Sequence, residues 1–169
     1  MSGSIQTSPP AIIVGVGAGR SADAALRWAV AQAAGRHPVR AVHVVRSSAT
    51  AIAGFDAVVH LPEPDVFDAA VALERSIERA VPDPALRATI ETRVLVGAPV
   101  PRLLECCEGA GMLVLGRGRS SGRRLFGVAR QLISLAPCAV VVVPPGADTA
   151  PSAAGPVVGA RRAELAYAG

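Results

Sequence analysis

Apolar residues along this chain occur in short continuous runs that alternate with longer segments of helical spacing. Ala11–Gly17 is a continuous apolar run of the kind found in a strand that is covered on both faces of a sheet, and Val39–Val45 is the second predicted strand. Residues 88–96 alternate at first and then become apolar, and residues 112–115 and 140–143 are further predicted strands. The pattern therefore predicts five strands.

The segments between these runs have the features of helices. Ser21 is predicted to cap a first helix that Gly35 ends. From Asp65 onward the apolar residues recur at steps of three and four, which is typical of one face of a helix. The remaining predicted helices cover residues 99–107 and 126–136.

Strands and helices alternate throughout this region. The alternation predicts a single-domain α/β fold of Rossmann-like type, because right-handed crossovers give a parallel sheet with helices on both faces. In such sheets ligands bind beyond the carboxyl ends of the strands, at the point where the strand order reverses. Two glycine clusters follow predicted strands at this end of the sheet.

The chain has 169 residues, enough for one domain with its own core. We predict this domain at residues 11–145. Residues 1–10 are predicted to be a disordered leader, and residues 146–169, rich in Ala, Gly and Pro, to be a tail. Residues 46–63 form a long connection without clear periodicity, which in compact domains is functional or mobile.

Charge and composition narrow the classes of function. The net charge is +4, but aromatic residues make up only 3% of the chain, which disfavours nucleic-acid binding. The 17 basic residues are all arginine, which excludes a Walker A loop and lysine Schiff-base chemistry. The aliphatic run Ala139–Val143 is far shorter than the roughly 20 residues of a membrane span. Because the N-terminal residues also lack a secretory signal pattern, we expect a cytoplasmic location and no membrane partner.

Cysteine and histidine show no spacing typical of a metal site or of a catalytic pair. Cys106, Cys107 and Cys138 are interpreted as structural thiols in a reducing compartment. The three histidines are isolated along the chain, and no general acid and base are placed together. An enzyme with its own turnover stays open as a possibility, without a residue to carry it.

The first glycine cluster, VGVGAGRS, places Gly15, Gly17 and Gly19 directly after the first strand. Its spacing departs by one residue from the GxGxxG fingerprint of dinucleotide-binding proteins, and no acidic residue ends the second strand. A dehydrogenase is therefore disfavoured. A tight turn from strand to helix also explains these glycines, so a ligand role and a structural role both stay open.

The second cluster lies in the stretch VLGRGRSSGRRLFGVARQL, residues 114–132. Its glycines allow backbone amides to approach a ligand closely, and the start of the following helix favours an anion. Its arginines offer forked donors suited to phosphate. The stretch predicts an anion site, with a solvated basic loop as the alternative.

Several stretches of the chain resemble the universal stress protein family. They are AIIVGVGAGRSADAALRWAVAQA, AVHVV, VLVGAPVPRLLE and LVLGRGRSSGRRLFGVARQLISLAPCAVVVVP, which together extend over roughly residues 10–145. The resemblance implies a five-stranded sheet of order 3-2-1-4-5. It also implies a homodimer that pairs through the last strand, at Val140, Val141, Val142 and Val143. Pairing there has a physical motive as well, since an uncovered apolar edge strand promotes aggregation.

ATP-binding members of this family carry an Asp at the end of the first strand and a loop of the form G-x2-G-x9-G-Ser/Thr. In this chain Gly17 occupies the position of that Asp. The loop has only eight residues between Gly118 and Gly127, and Val128 stands where the hydroxyl residue is expected. Gly111 replaces the Asp that is usual before the fourth strand.

The resemblance implies that ATP or another adenine nucleotide would contact the first turn, the second strand and the loop, with Val44 at the adenine. These positions are Gly15, Val16, Gly17, Val44, Leu115, Gly116, Gly118, Gly127 and Val128. Charge and position add four arginines to this candidate site, Arg117, Arg119, Arg123 and Arg124.

These observations support two main hypotheses. In the first, the chain is a homodimeric regulatory module of the universal stress protein type, with weak or lost ATP binding and a protein partner yet to be identified. In the alternative, it is a stress-response switch whose arginine-rich loop holds an adenine nucleotide.

Overall fold

The structure is a computed structural model that describes residues 9–17, 19–46, 65–117 and 124–146, without the side chains of 124–126. Its strands are β1 Ile12–Gly15, β2 Val39–Val45, β3 Ile90–Val96, β4 Met112–Gly116 and β5 Ala139–Val143. Its helices are α1 Arg20–Ala33, α2 Val66–Ala80, α3 Pro84–Arg87, α4 Pro99–Cys107 and α5 Arg124–Leu135. Most of the predicted leader and tail, and most of the long connection, lie outside the described residues.

The strands form one parallel sheet of order β3-β2-β1-β4-β5. This order confirms the expected fold. The central strand is β1, and Gly15 at its end lies opposite Val42 of β2 and Leu115 of β4. After β3 the chain crosses to the other side of β1, so the strand order reverses beside the carboxyl end of β1.

Helices cover both faces of the sheet because successive strand residues point to opposite faces. On one face, Val14, Val114 and Val141 pack in a core cluster with residues of α1 and α2. On the other face, Ile13 and Val140 belong to a second cluster, to which α4 and α5 contribute Leu103, Cys107 and Leu132. Strands β1, β4 and β5 therefore need apolar residues at consecutive positions, which explains their unbroken apolar runs in the sequence.

The start of α1 differs from the prediction. The residue that caps the helix is Gly19, whose φ is 99° and whose position has no side-chain cap. Ser21 lies inside the first turn and is buried. Glycine is suited to a positive φ that other residues rarely adopt, so the turn geometry selects it over a serine cap. At the other end, Ala34 is already left-handed and precedes Gly35.

Two helix starts involve an aspartate. Asp65 caps α2, and its carboxylate accepts hydrogen bonds from the amides of Phe67 at 2.9 Å and Asp68 at 3.0 Å. The short helix α3 was not predicted. Asp83 caps it by accepting from Ala85 N at 2.8 Å, and a proline occupies its first turn. The sequence VPDP therefore both ends α2 and begins α3.

Other boundaries moved by one or two residues. The first strand ends at Gly15 rather than Gly17, and the third begins at Ile90 rather than residue 88. The last helix begins at Arg124 rather than residue 126. Strand ends follow backbone pairing with neighbours, which hydropathy alone does not specify.

Among the described residues, no helix combines the length and the apolar character needed to cross a bilayer.

Candidate functional site

A large cleft lies at the carboxyl ends of β1, β2 and β4. Its volume is about 1340 Å³. The first turn of α1, the start of α4 and the middle of α5 complete the wall that the described residues form. This is the position at which parallel α/β sheets bind their ligands.

Most of the described candidate residues come together in this cleft. Those lining it are Gly15, Val16, Gly17, Val44, Leu115, Gly116, Arg117 and Val128. Gly127 lies in the first turns of α5 and is not among the described lining residues. Gly118, Arg119 and Arg123 lie outside the described residues, and the side chain of Arg124 is not described. Their role in binding stays a prediction.

The glycines of the cleft differ in what surrounds them. A Cβ placed on Gly116 would lie 2.5 Å from the carbonyl carbon of Ser21 and 2.9 Å from the amide nitrogen of Ala22. A Cβ on Gly15 would lie 2.6 Å from a methyl carbon of Leu115. At Gly17, no atom of the described residues lies within 4 Å of the corresponding point. Packing against α1 therefore explains Gly116, whereas no such packing among the described residues explains Gly17.

The N-terminus of α1 is directed at the cleft. Gly19, Arg20, Ser21 and Ala22 all line it, and the first turn closes with a bond from Ala22 N to Gly19 O at 3.0 Å. The first amides of a helix have no acceptor within the helix, and the helix dipole adds partial positive charge there. The absence of a carbon at Gly116 allows this turn to approach β4. The N-terminus of α1 therefore gives the cleft a position suited to an anion.

Arginines from separate elements surround the cleft. Arg20 begins α1, Arg46 follows β2 and Arg117 follows β4, and all three are exposed and line the cleft. Of these three arginines, only Arg117 belonged to the site predicted from the sequence. Arg20 directly follows the glycine turn after β1, and Arg46 directly follows the end of β2. Those positions were the signal that the sequence offered. Positive charge therefore faces the cleft from three directions.

The acidic lining residue is Asp23 in the first turn of α1. Its carboxylate oxygens each lie 3.4 Å from a guanidinium nitrogen of Arg79 on α2, and Arg79 also donates to Ser76 Oγ at 3.0 Å. The side chain of Asp23 is only 14% exposed. This ion pair joins α2 to the start of α1, so the carboxylate is held as a structural group beside the cleft.

His43 has a more specific position than its isolation in sequence indicated. Its Nδ1 lies 2.7 Å from the carbonyl oxygen of Val16, and the half-buried ring lines the cleft. A carbonyl oxygen only accepts, so Nδ1 is the donor. The contact joins the end of β2 to the turn after β1. The histidine therefore orders the backbone at the floor of the cleft.

The described wall of the cleft combines apolar side chains with hydrogen-bond donors and positive charge. Val42, Val44, Leu103 and Leu115 give it an apolar floor, while amides and guanidinium groups stand at its rim. Among the described residues no three His, Cys, Asp or Glu side chains form a metal-binding group. The described lining contains one histidine, which donates to the carbonyl oxygen of Val16, and one carboxylate, which is paired with Arg79. A flat apolar group with an attached anion suits this surface.

Comparisons of sequence agree with this architecture. The profile of the Universal stress protein family matches residues 10–144. Universal stress protein Rv3134c of Mycobacterium tuberculosis is 34% identical over 139 residues, which are 80% of this chain and 48% of that protein. The chain thus spans about half the length of this curated relative.

Solved structures share the fold. A universal stress protein family member from Burkholderia pseudomallei has a TM-score of 0.58 at 22% identity, covering 82% of this chain and 98% of that one. A universal stress protein from Archaeoglobus fulgidus in complex with dAMP has a TM-score of 0.52 at 19% identity, covering 81% and 99%. A family protein from Arabidopsis thaliana with AMP bound has a TM-score of 0.52 at 20% identity, covering 85% and 97%.

Proposed function

This chain belongs to the universal stress protein family, and from that premise we propose that it is a regulatory module whose cleft binds an adenine nucleotide weakly. One observation carries the proposal. A single cleft has an apolar floor and a cationic rim. Three parts of the sheet converge on it: the backbone of β1, the end of β2, and the end of β4 with its glycine and arginine.

The choice of an adenine nucleotide has support from related folds. Structures of the same fold contain dAMP in the Archaeoglobus protein and AMP in the Arabidopsis protein. In this chain, Val44 and Leu115 offer apolar surface for a base. Arg117 and the N-terminus of α1 offer positive charge for phosphate. The two kinds of surface match the two ends of a nucleotide.

Weak binding follows from what the site lacks. Gly17 supplies no carboxylate and Val128 no hydroxyl. A charged hydrogen bond contributes about 1.5–3 kcal/mol and a neutral one about 0.5–1.5 kcal/mol. Without both, affinity falls by roughly 30- to 2000-fold. Arg20, Arg46 and Arg117 offset part of this loss through contacts to phosphate.

The test is calorimetric titration with ATP, ADP, AMP and cyclic AMP at two salt concentrations. We expect dissociation constants near the millimolar range that weaken as salt increases, because exposed charges are screened. Arg117→Ala should weaken binding further, while Arg75→Ala, an exposed arginine of α2 outside the cleft, should leave it unchanged. Salt-independent binding, or equal effects of the two variants, would contradict phosphate recognition by the cleft arginines.

Gly17→Asp provides a gain-of-function test. A Cβ at Gly17 would meet no described atom within 4 Å, and its φ is outside the left-handed region, so the described part of the fold accommodates a side chain there. A new charged hydrogen bond to the ligand should tighten binding by about 10- to 150-fold. Gly17→Asn, similar in size but neutral, is the matched control and should gain less. If neither variant binds a nucleotide more tightly than the wild-type protein, the cleft does not use this position.

A second role, as a homodimeric scaffold, rests on β5. This strand is at the edge of the sheet. Val143 O accepts from Arg117 N at 2.7 Å, so the backbone groups of Val143 face β4 and those of Val142 face the open edge. The side chains of Val140, Val141 and Val143 are buried in the chain's own core. Pairing here would therefore use the backbone together with the exposed apolar residues of α5.

Leu135, at the end of α5, is the residue with which to test dimerisation. It is 60% exposed, so Leu135→Asp should leave the fold intact and weaken a β5 dimer by more than about tenfold. Phe67→Asp is the matched control, since Phe67 is 75% exposed at the start of α2 on the opposite face of the sheet. Sedimentation equilibrium reports both dissociation constants. A monomeric wild-type protein, or equal effects of the two variants, would exclude the β5 interface.

A further inference from the structure

Two thiols from separate segments meet at the amino ends of β4 and β5, the end of the sheet opposite the cleft. Cys107 is the last residue of α4, and Cys138 directly precedes β5. These two strands are parallel neighbours, with Met112 paired to Ala139. Cys107 is a buried member of one core cluster, and Cys138 packs against the same cluster. The ionisation of each thiol is influenced by the other, which places the two side chains close together. Strand pairing and helix packing therefore bring the two thiols to the same end of the sheet.

The two thiols have different surroundings. Cys107 is 1% exposed and packs among the apolar residues of α4, α5 and the sheet. Cys138 is partly exposed, so a small reagent reaches it. Interaction with the Cys138 thiol, together with burial, raises the pKa of Cys107. The same interaction lowers the pKa of Cys138, while burial acts in the opposite direction.

Cys106 is a third thiol next to the pair in sequence, and it provides a comparison. It is partly buried and free, and it packs against the same core cluster. Burial raises its pKa, although Arg93 nearby acts in the opposite direction. No hydrogen bond to another thiol is among the causes of this shift. Oxidation should therefore distinguish Cys107 from its immediate neighbour.

We propose that Cys107 and Cys138 form a dithiol site that a hydroperoxide oxidises to an intramolecular disulfide. A partly exposed thiolate beside a buried second thiol is the arrangement found in peroxide-sensitive proteins. The earlier interpretation of these cysteines as structural thiols describes the reduced form. Oxidation adds a second, covalently joined form of the same fold.

The reaction balances in two steps. The thiolate of Cys138 attacks one oxygen of the hydroperoxide, the O–O bond breaks, and the alkoxide takes a proton to leave as an alcohol, or as water for hydrogen peroxide. Cys138 is then a sulfenic acid. The sulfur of Cys107 attacks the sulfur of Cys138, the S–O bond breaks, and the hydroxide leaves with the proton of Cys107 as water. The protein loses two hydrogens, and the hydroperoxide is reduced.

The disulfide would close a loop that contains β4, the arginine-rich segment and the whole of α5. A cross-link restricts the unfolded chain more than the folded one. Thermal unfolding of the oxidised protein should therefore shift upward by about 5–10 °C. The bond ties the end of α4 to the start of β5 and leaves the carboxyl ends of the strands open.

The experiment uses the full-length reduced protein and a small molar excess of hydrogen peroxide. Thiol titration in denaturant should fall from three per chain to one and return to three after dithiothreitol. Mass spectrometry should show a loss of about 2 Da per chain, as expected for one disulfide. Trypsin without reductant should release residues 103–117 joined to residues 131–161. Fragmentation of that linked product shows whether Cys106 or Cys107 is joined to Cys138.

Two variants complete the test. Cys106→Ser should form the linked peptide as the wild-type protein does, and Cys138→Ser should form none. Cys138 is only partly buried, so its replacement preserves the fold better than a hydroxyl at Cys107 would. A link through Cys106, a link between two chains, or oxidation of all three thiols without any link would overturn the proposal.

Discussion

Gly116→Ala is the substitution for which the structure gives the clearest expectation. The new Cβ would lie 2.5 Å from the carbonyl carbon of Ser21, with the carbonyl oxygen of the same residue closer still. Ordinary contact begins at 3.4 Å, so the first turn of α1 would have to retreat by at least 0.9 Å. The atoms in conflict are backbone atoms, which no change of rotamer relieves. The turn and β4 must separate, or both must distort.

The energetic cost follows from this geometry. Overpacking in a close-packed interior typically costs about 1–3 kcal/mol, and occasionally more. Since backbone has to move, we expect about 3 kcal/mol for Gly116→Ala. Gly17→Ala is the control on the same cleft, because its Cβ meets no atom of the described residues within 4 Å and its φ is not left-handed. It should be neutral, or stabilising by about 0.5 kcal/mol through loss of freedom in the unfolded chain.

Urea denaturation followed by circular dichroism measures both effects. With a slope of about 1–3 kcal/mol per molar urea, the midpoint of Gly116→Ala should fall by about 1–3 M. Gly15→Ala should lie between the two, since its new Cβ would clash with a side-chain methyl group of Leu115 at 2.6 Å rather than with backbone. Equal midpoints for Gly116→Ala and Gly17→Ala would refute the close approach of α1 to β4.

Three further outcomes are expected. Asp65→Ala removes the acceptor that caps α2 and should lower the free energy of unfolding by about 1 kcal/mol in urea titrations; no change would mean that the cap is dispensable. Leu132→Ala, at a fully buried position, should cost about 2–5 kcal/mol, whereas Leu135→Ala on the same helix should stay within about 0.5 kcal/mol, and similar losses would contradict the orientation of α5. The hydrogen bond from Arg93 lowers the pKa of Glu91 from 4.5, so the extra stability of wild type over Glu91→Gln should be present above pH 4.5 and disappear as the pH falls further. This difference should stay below about 1 kcal/mol because the pair is exposed, and a difference independent of pH would rule out the carboxylate as its source.

The elements of the fold were largely accessible from local patterns. The bounds predicted for β2 and α4 agree with the structure, because proline residues and changes of periodicity mark their ends. The helix α3 was missed, since its four residues are too few to show a helical period. The start of α1 was misplaced because serine is the commoner cap, while the geometry of this turn requires a glycine with positive φ.

The sequence predicted several residues of the candidate site but not how they are arranged in space. The resemblance to a family and the position after strand ends identified Gly15, Val44 and Leu115, which the structure places in one cleft. His43 and Arg46 were not assigned to it. His43 lies in β2 and Arg46 directly follows this strand, and the contact of His43 with Val16 depends on the parallel pairing of β1 and β2. Nothing local in the sequence specifies that distance.

The sequence by itself determined which segments are strands and helices, their alternation, and the concentration of glycine and arginine at strand ends. These properties depend on hydrophobic periodicity and turn chemistry over a few residues. Only the tertiary structure decided that Gly116 accommodates α1, that His43 donates to Val16, and that Cys107 meets Cys138. Each of these contacts joins distant segments, and its distance is set by strand register and helix packing, which local patterns do not encode.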